Sequence, residues 1–107
     1  MQDDSSDPAY ALALAADWEA AAAALEERWP TDRPHDPYGE NYERTAEWWE
    51  LCGDRLAVSS ADPAQAAEAY RRAHEAFGTF ASWATSGGEG SARMIAVRRV
   101  ASKLGLS

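Results

Sequence analysis

Four stretches of this chain place apolar side chains at steps of three and four. That spacing keeps them on one face of an α-helix. The most regular runs from Asp62 to Trp83, where Ala66, Tyr70, Ala73, Phe77, Phe80 and Ala84 recur in a single stripe. A helix of that length spans roughly 33 Å, the width of a small domain. It is expected to be the central element, with the rest of the chain packed about it. Upstream, Tyr10, Leu14, Trp18, Ala21, Leu25 and Trp29 predict one helix over 8–29. Tyr42, Thr45, Trp49, Cys52 and Leu56 predict a second, with Trp48 and Leu51 widening its apolar face. Met94, Val97, Val100, Ala101 and Leu104 predict a last helix over 91–104, with Arg93, Arg98, Arg99 and Lys103 on its other faces. No segment of strand length alternates apolar with polar, so a sheet is not expected. The predicted fold is all-α, a four-helix antiparallel bundle.

Helix ends are marked by capping chemistry. Asp7-Pro8 supplies a side-chain acceptor for unpaired amides and a residue preset for the first helical position. Pro30 ends the first helix. Residues 30–40 hold three of the five prolines and form the one long connection, so the second helix begins somewhere between Pro37 and Asn41. It runs to about Val58. After Ser59-Ser60-Ala61, Asp62-Pro63-Ala64-Gln65 resembles a capping box. Ser86-Gly87-Gly88-Glu89-Gly90 reads as a flexible break. Residues 1–6 are expected to be a disordered tail, and 7–107 a single helical domain.

Composition adds limits. Hydrophobic residues make up 46% of the 107, with five Trp, enough to build a core. The single cysteine, Cys52, excludes an internal disulfide and a multi-cysteine zinc site. The acidic first residues are the reverse of a signal peptide, and no apolar run approaches a membrane span. These features lead us to expect a cytoplasmic protein. Arg outnumbers Lys nine to one and Ala is abundant, a bias associated with GC-rich bacterial genomes.

The net charge of −8 is unevenly divided. Residues 1–54 carry 14 acids against three Arg, a net of −11, while 55–107 carry four acids against six Arg and one Lys, a net of +3. Such a division disfavours nucleic-acid or acidic-membrane binding by the first half. It favours pairing between the halves, within one chain or between copies, or a basic partner. Glu40, Glu43, Glu47, Glu50 and Asp54 lie at helical spacing and form an acidic stripe. Either it is a solvated face, or it receives a basic partner.

The residues Ala66-Ala67-Glu68-Ala69-Tyr70-Arg71-Arg72-Ala73 carry an A-x-x-x-[FY]-x-x-A spacing, and Trp48 with Leu51 carries W-x-x-L. Over about 45–77 the chain resembles a single tetratricopeptide-repeat hairpin, a helix–turn–helix unit that stacks on its neighbours. Cys52 and Arg55 stand where that pattern has Gly and an aromatic. An ordinary antiparallel helix pair accounts for the same residues. The resemblance implies a TPR-like hairpin with flanking helices, used for protein–protein contact.

Candidate chemistry is sparse. Arg28 and His35 have the R-x(4–6)-H spacing of certain helical ribonucleases, but prolines lie between them. Neither His35 nor His74 has a Glu three residues before it, as a ferritin-like metal site requires. Val97 to Ser107 resembles the first helix and turn of a DNA-binding helix-turn-helix, with no recognition helix after it. A basic helix lying against the acidic half explains it equally well. Cys52 falls on an inner face and reads as core. No catalytic, cofactor or metal site is expected.

The expectation is a small acidic module for protein–protein interaction or self-association. Trp29, Tyr38, Trp48 and Trp83 are the candidate rim of an aromatic groove, and Glu40, Glu43, Glu47 and Glu50 the candidate acidic surface. The alternative is an acidic inhibitor or antitoxin-like protein that blocks the basic site of a nucleic-acid-processing partner.

Overall fold

A computed structural model describes residues 7–32, 34–59, 62–82 and 87–105, with side chains at all of these except 80–82 and 87–93. Every regular element among the described residues is a helix: α1 (Pro8–Leu14), α2 (Trp18–Arg28), α3 (Glu40–Ser59), α4 (Pro63–Ser82) and α5 (Gly87–Lys103). The tail at 1–6, Trp83 and Ala84 lie outside the described residues.

The long helices α3 and α4 form the central hairpin. Trp49, Cys52 and Leu56 of α3 and Ala66, Ala69, Tyr70, Ala73 and Phe77 of α4 are buried in one core. The periodic stripe of α4 thus faces inward from Ala66 to Phe77 as its spacing predicts. Small residues set how closely the pair approaches. A Cβ at Gly53 would stand 2.6 Å from Cδ1 and Cε1 of the Tyr70 ring, so the ring lies on bare backbone. Leu51 departs from expectation. It is 62% exposed, because the packed face of α3 is centred on Trp49, Cys52 and Leu56, and Leu51 lies across the helix from them.

The expected first helix is two. Asp17 N–H donates to Leu12 O at 2.8 Å and Ala16 N–H to Ala13 O at 2.9 Å, closing α1 in a Schellman motif. Ala16 occupies its left-handed position, φ 63°. Glycine normally takes that place, so the sequence gives little warning of the break. Three contacts stabilise it. The Asp17 side chain caps α2 at Ala20 N–H, and the Gln65 amide donates to Leu14 O at 2.9 Å across to α4. The Tyr10 hydroxyl lies 3.4 Å from Ser59 Oγ at the far end of α3. The turn redirects the chain so that Leu14 is left half-exposed, whereas Ala9, Tyr10, Ala13, Ala21 and Leu25 are buried.

The start of α3, open in the sequence, is fixed by Asp36. This buried carboxylate accepts from Asn41 N–H at 2.9 Å and Tyr42 N–H at 3.1 Å. It satisfies two of the unpaired amides of the first turn. Gly39, at φ 79°, makes the turn that brings it there. At the other end of the chain, α5 begins at Gly87 rather than Ser91, so Gly87, Gly88 and Gly90 are helical. Their propensity cost, about 1 kcal/mol each, is the kind of local preference that tertiary context overrides.

Candidate functional site

Helix α3 has three environments along its length, one inward on α4 and two flanking. On the first flank, α1 and α2 dock through rings. The indoles of Trp18 and Trp49 lie 6.2 Å apart, and Trp48 meets Trp49 edge-on at 5.0 Å. The polar centre there is Asp7, which caps α1 by accepting from Ala9 N–H at 3.0 Å. It also accepts from Arg28 Nη2 at 2.9 Å and from the Trp48 indole N–H at 3.0 Å. One carboxylate therefore ties α1, α2 and α3 together. Burial opposes its charge, but the three donors outweigh burial and lower its pKa to about 2.

An open cleft of about 350 Å³ runs between α1 and α3. Asp7 and Tyr10 line one side; Trp48, Leu51, Cys52 and Arg55 line the other. The Arg55 guanidinium sits 3.9 Å over the Tyr10 ring, a cation–π contact. Cys52 forms part of the floor. Burial pushes its thiol pKa up to about 12, so it is a poor nucleophile, as its place on the inner face implied.

On the second flank, α5 docks through charge. Arg99 donates to both oxygens of Glu50, Nε to Oε2 and Nη2 to Oε1, each at 2.7 Å. Lys103 Nζ donates to Glu50 Oε2 at 2.8 Å and to Asp54 at 3.1 and 3.2 Å. The Tyr70 hydroxyl donates to Asp54 at 2.6 Å, joining α4 to the same network. Hydrogen bonding by Arg99 lowers the Glu50 pKa against burial, and Glu50 in turn raises that of Arg99. Burial raises the Tyr70 phenol pKa, and Asp54 reinforces the shift.

This network corrects the acidic-stripe expectation. Glu50 is only 6% exposed and ion-paired, so it belongs to the interior and not to a free acidic surface. The physical reason is the one that the charge division suggested: the basic last helix neutralises the acids beside it. Glu40, Glu43 and Glu47 remain exposed. Burial, together with the charge of Glu43, raises the Glu47 pKa.

Three of the four candidate rim aromatics lie among the described residues. Tyr38 is exposed in the 30–40 connection, and Trp29 caps α2 half-buried, with the Arg28 guanidinium 5.2 Å from its ring. Trp48 is half-buried and hydrogen-bonded to Asp7, and Trp83 lies outside the described residues. Arg28 and His35 turn to different acids, Arg28 to Asp7 and His35 Nδ1 to Asp32 at 2.8 Å. Among the described residues no group of three His, Cys, Asp or Glu is placed to hold a metal ion, and no helix is long and apolar enough to cross a membrane.

The sequence pointed to a basic last helix against the acidic half, but not to the particular pairs Glu50–Arg99, Glu50–Lys103 and Asp54–Lys103. Their signal was present, since Glu50 and Asp54 are four apart on one helix and Arg99 and Lys103 four apart on another. Two equal spacings of opposite sign can form a ladder between helices. The left-handed Ala16 and the Gly53–Tyr70 approach had no comparable signal. No protein-family model, curated protein or solved structure matches this chain.

Proposed function

We propose that this protein is a protein-interaction or self-association module whose working surface is the outer face of α3 with the adjoining α1–α3 cleft. The observation that carries this reading is the placing of Leu51 and Val58. They stand seven residues apart on one line of α3, 62% and 90% exposed. Single exposed apolar residues are ordinary, but Leu51 lines a cleft walled by Tyr10 and Trp48, and Val58 follows it two turns on along the same helix. An amphipathic helix laid along α3 would cover Leu51 and Val58 and insert a side chain beside Tyr10.

The resemblance to a tetratricopeptide hairpin supports a binding role. It rests on Trp48-x-x-Leu51 and on the Ala66-x-x-x-Tyr70-x-x-Ala73 spacing, in a unit that packs against neighbours.

A second reading, an acidic inhibitor of a basic site, is favoured by Glu40, Glu43 and Glu47. These exposed carboxylates follow one another along the first turns of α3, and burial together with the charge of Glu43 raises the Glu47 pKa. A basic partner would add opposite charge beside these three carboxylates.

Leu51→Glu and Val58→Glu test the first reading. Light scattering across a concentration series, and retention of bound proteins from the native host, should both lose the association seen with the parent. Unchanged association would contradict it. Steep weakening of binding with salt supports the acidic-inhibitor reading, and salt-insensitive binding supports the apolar face.

A further inference from the structure

The outer face of α3 is not uniform along its length. Glu40, Glu47, Leu51 and Val58 follow one another at steps of seven, four and seven, so they share one line of the helix. All four are exposed. The line is charged toward the start of α3 and apolar toward its end. Glu43 and Arg44 lie beside the charged half, and Arg44 Nη1 donates to Asn41 Oδ1 at 3.4 Å. Three acids against one Arg leave that half a net of −2.

The acids further along α3 are in a different position. Glu50 and Asp54 are held by Arg99 and Lys103, whereas Glu40, Glu43 and Glu47 form no ion pair among the described residues. Helix α5 thus pairs with the later acids and not with those of the first turns. Complementing the helix's own dipole accounts for acids in the first turn, Glu40 and Glu43. That effect fades beyond the first turn, and Glu47 lies further along.

We infer that the partner of this face is a basic amphipathic helix laid antiparallel to α3, apolar in its earlier turns and carrying Lys or Arg in its later ones. This rests on the outer face of α3 being the working surface, and it adds the chemistry of what covers it. Both helices rise about 1.5 Å per residue, so the partner mirrors the spacing of the line. Apolar side chains seven apart cover Val58 and then Leu51. Cations four and eleven residues further on reach Glu47 and Glu40. Direction follows from the dipole. A helix favours cations in its last turns, and antiparallel packing sets those turns over the first turns of α3. The same placing brings an apolar side chain to the mouth of the cleft beside Tyr10 and Trp48.

Three synthetic peptides of about 20 residues on an Ala–Gln background provide the test. One carries Leu, Leu, Lys and Lys in that order and spacing, one has Glu in place of each Lys, and one reverses the order. Each is labelled and titrated with the full chain while fluorescence anisotropy is read. The Lys peptide should bind the parent about tenfold more tightly than the Glu peptide at low salt, and lose that advantage at high salt. Glu40→Lys combined with Glu47→Lys, both at exposed positions, should invert the preference. Leu51→Glu should weaken binding of both peptides. Equal binding of the Lys and Glu peptides would overturn the inference; if Leu51→Glu still weakened that binding, the apolar face itself would stand. Binding untouched by Leu51→Glu would sink both. Equal binding of the reversed peptide would contradict the antiparallel placing. No binding of the Lys peptide at about millimolar protein counts against the inference as well. A Lys-peptide affinity that falls as the chain self-associates would put a second copy on the face, which also overturns it.

Discussion

The two flanks of α3 are held by different physics. Against α1 and α2 it packs Trp49 on Trp18, with Trp48 edge-on to Trp49, and Leu25 is buried in the same core. Against α5 it presents Glu50 and Asp54 to Arg99 and Lys103, and among the described side chains of α5 Ala96 and Val100 are the buried ones. Apolar burial is non-directional and insensitive to salt, and it contributes roughly 1.5–3 kcal/mol for each large side chain. A carboxylate clasp is directional and demanding. It fixes which helix docks and in what register, but replacing such pairs with apolar residues is often neutral or stabilising. The ringed flank thus supplies stability, and the charged flank supplies specificity of attachment.

The largest effect should come from the apolar core. Trp49→Ala is expected to cost about 3–5 kcal/mol in denaturant melts, because its ring joins α2, α3 and α4. Phe77→Ala, buried between α4 and the Arg99 side chain, should cost a similar amount. A loss below about 1 kcal/mol for either would mean that the core lies elsewhere.

Glu50→Ala should rank next, at about 2 kcal/mol, below the range for fully buried pairs because Arg99 and Lys103 reach solvent. Its distinguishing sign is salt dependence. The parent should lose stability as salt rises, whereas Glu50→Ala should not, and parallel salt profiles in equilibrium melts would remove the contrast between the flanks.

Gly53→Ala should cost about 1–3 kcal/mol, since the new methyl meets the Tyr70 ring. Adding Tyr70→Leu, which removes the ring, should recover part of that loss. Recovery of none of it would place the cost elsewhere than in the ring contact.

Asp7 tests the ringed flank by pH. Its carboxyl titrates at about 2 when folded against 3.8 ordinarily. Because the folded value is the lower one, its contribution is complete above the ordinary value and is lost as pH falls through the window between them. Asp7→Asn should therefore cost about 1–2 kcal/mol at neutral pH and nearly nothing at the acid end of that window. A constant difference across that range would exclude titration as the cause.

The smallest effect is expected at Ala16. Ala16→Gly relieves a left-handed alanine and should raise stability by up to about 1 kcal/mol, a gain in melting temperature and not a loss.

Legibility in the sequence follows the same division. The α4 stripe, the proline-marked ends and the inward Trp49, Cys52 and Leu56 were readable because periodicity reports burial directly. The break at 15–17 was not, since Ala-Ala-Asp continues a good helix locally and only the Schellman closure and the Gln65 contact redirect it. Glu50 misled for a related reason: a carboxylate at helical spacing with other acids looks solvated until its cations, 49 and 53 residues away, are placed beside it. For the candidate surface, exposed Glu40, Glu43, Glu47 and Tyr38 were readable as polar or loop positions. Leu51 and Val58 were not, because an apolar residue carries no mark of which side of the helix will be covered.

Amide hydrogen exchange followed helix by helix, at low salt and at about 1 M salt where screening reaches ~3 Å, tests the contrast most directly. The account predicts that amides of α5 from Ala96 to Lys103 lose protection several-fold at high salt while those of α2 and the Trp49 turn of α3 keep theirs. Equal change in both regions, or an α5 indifferent to salt, would contradict it.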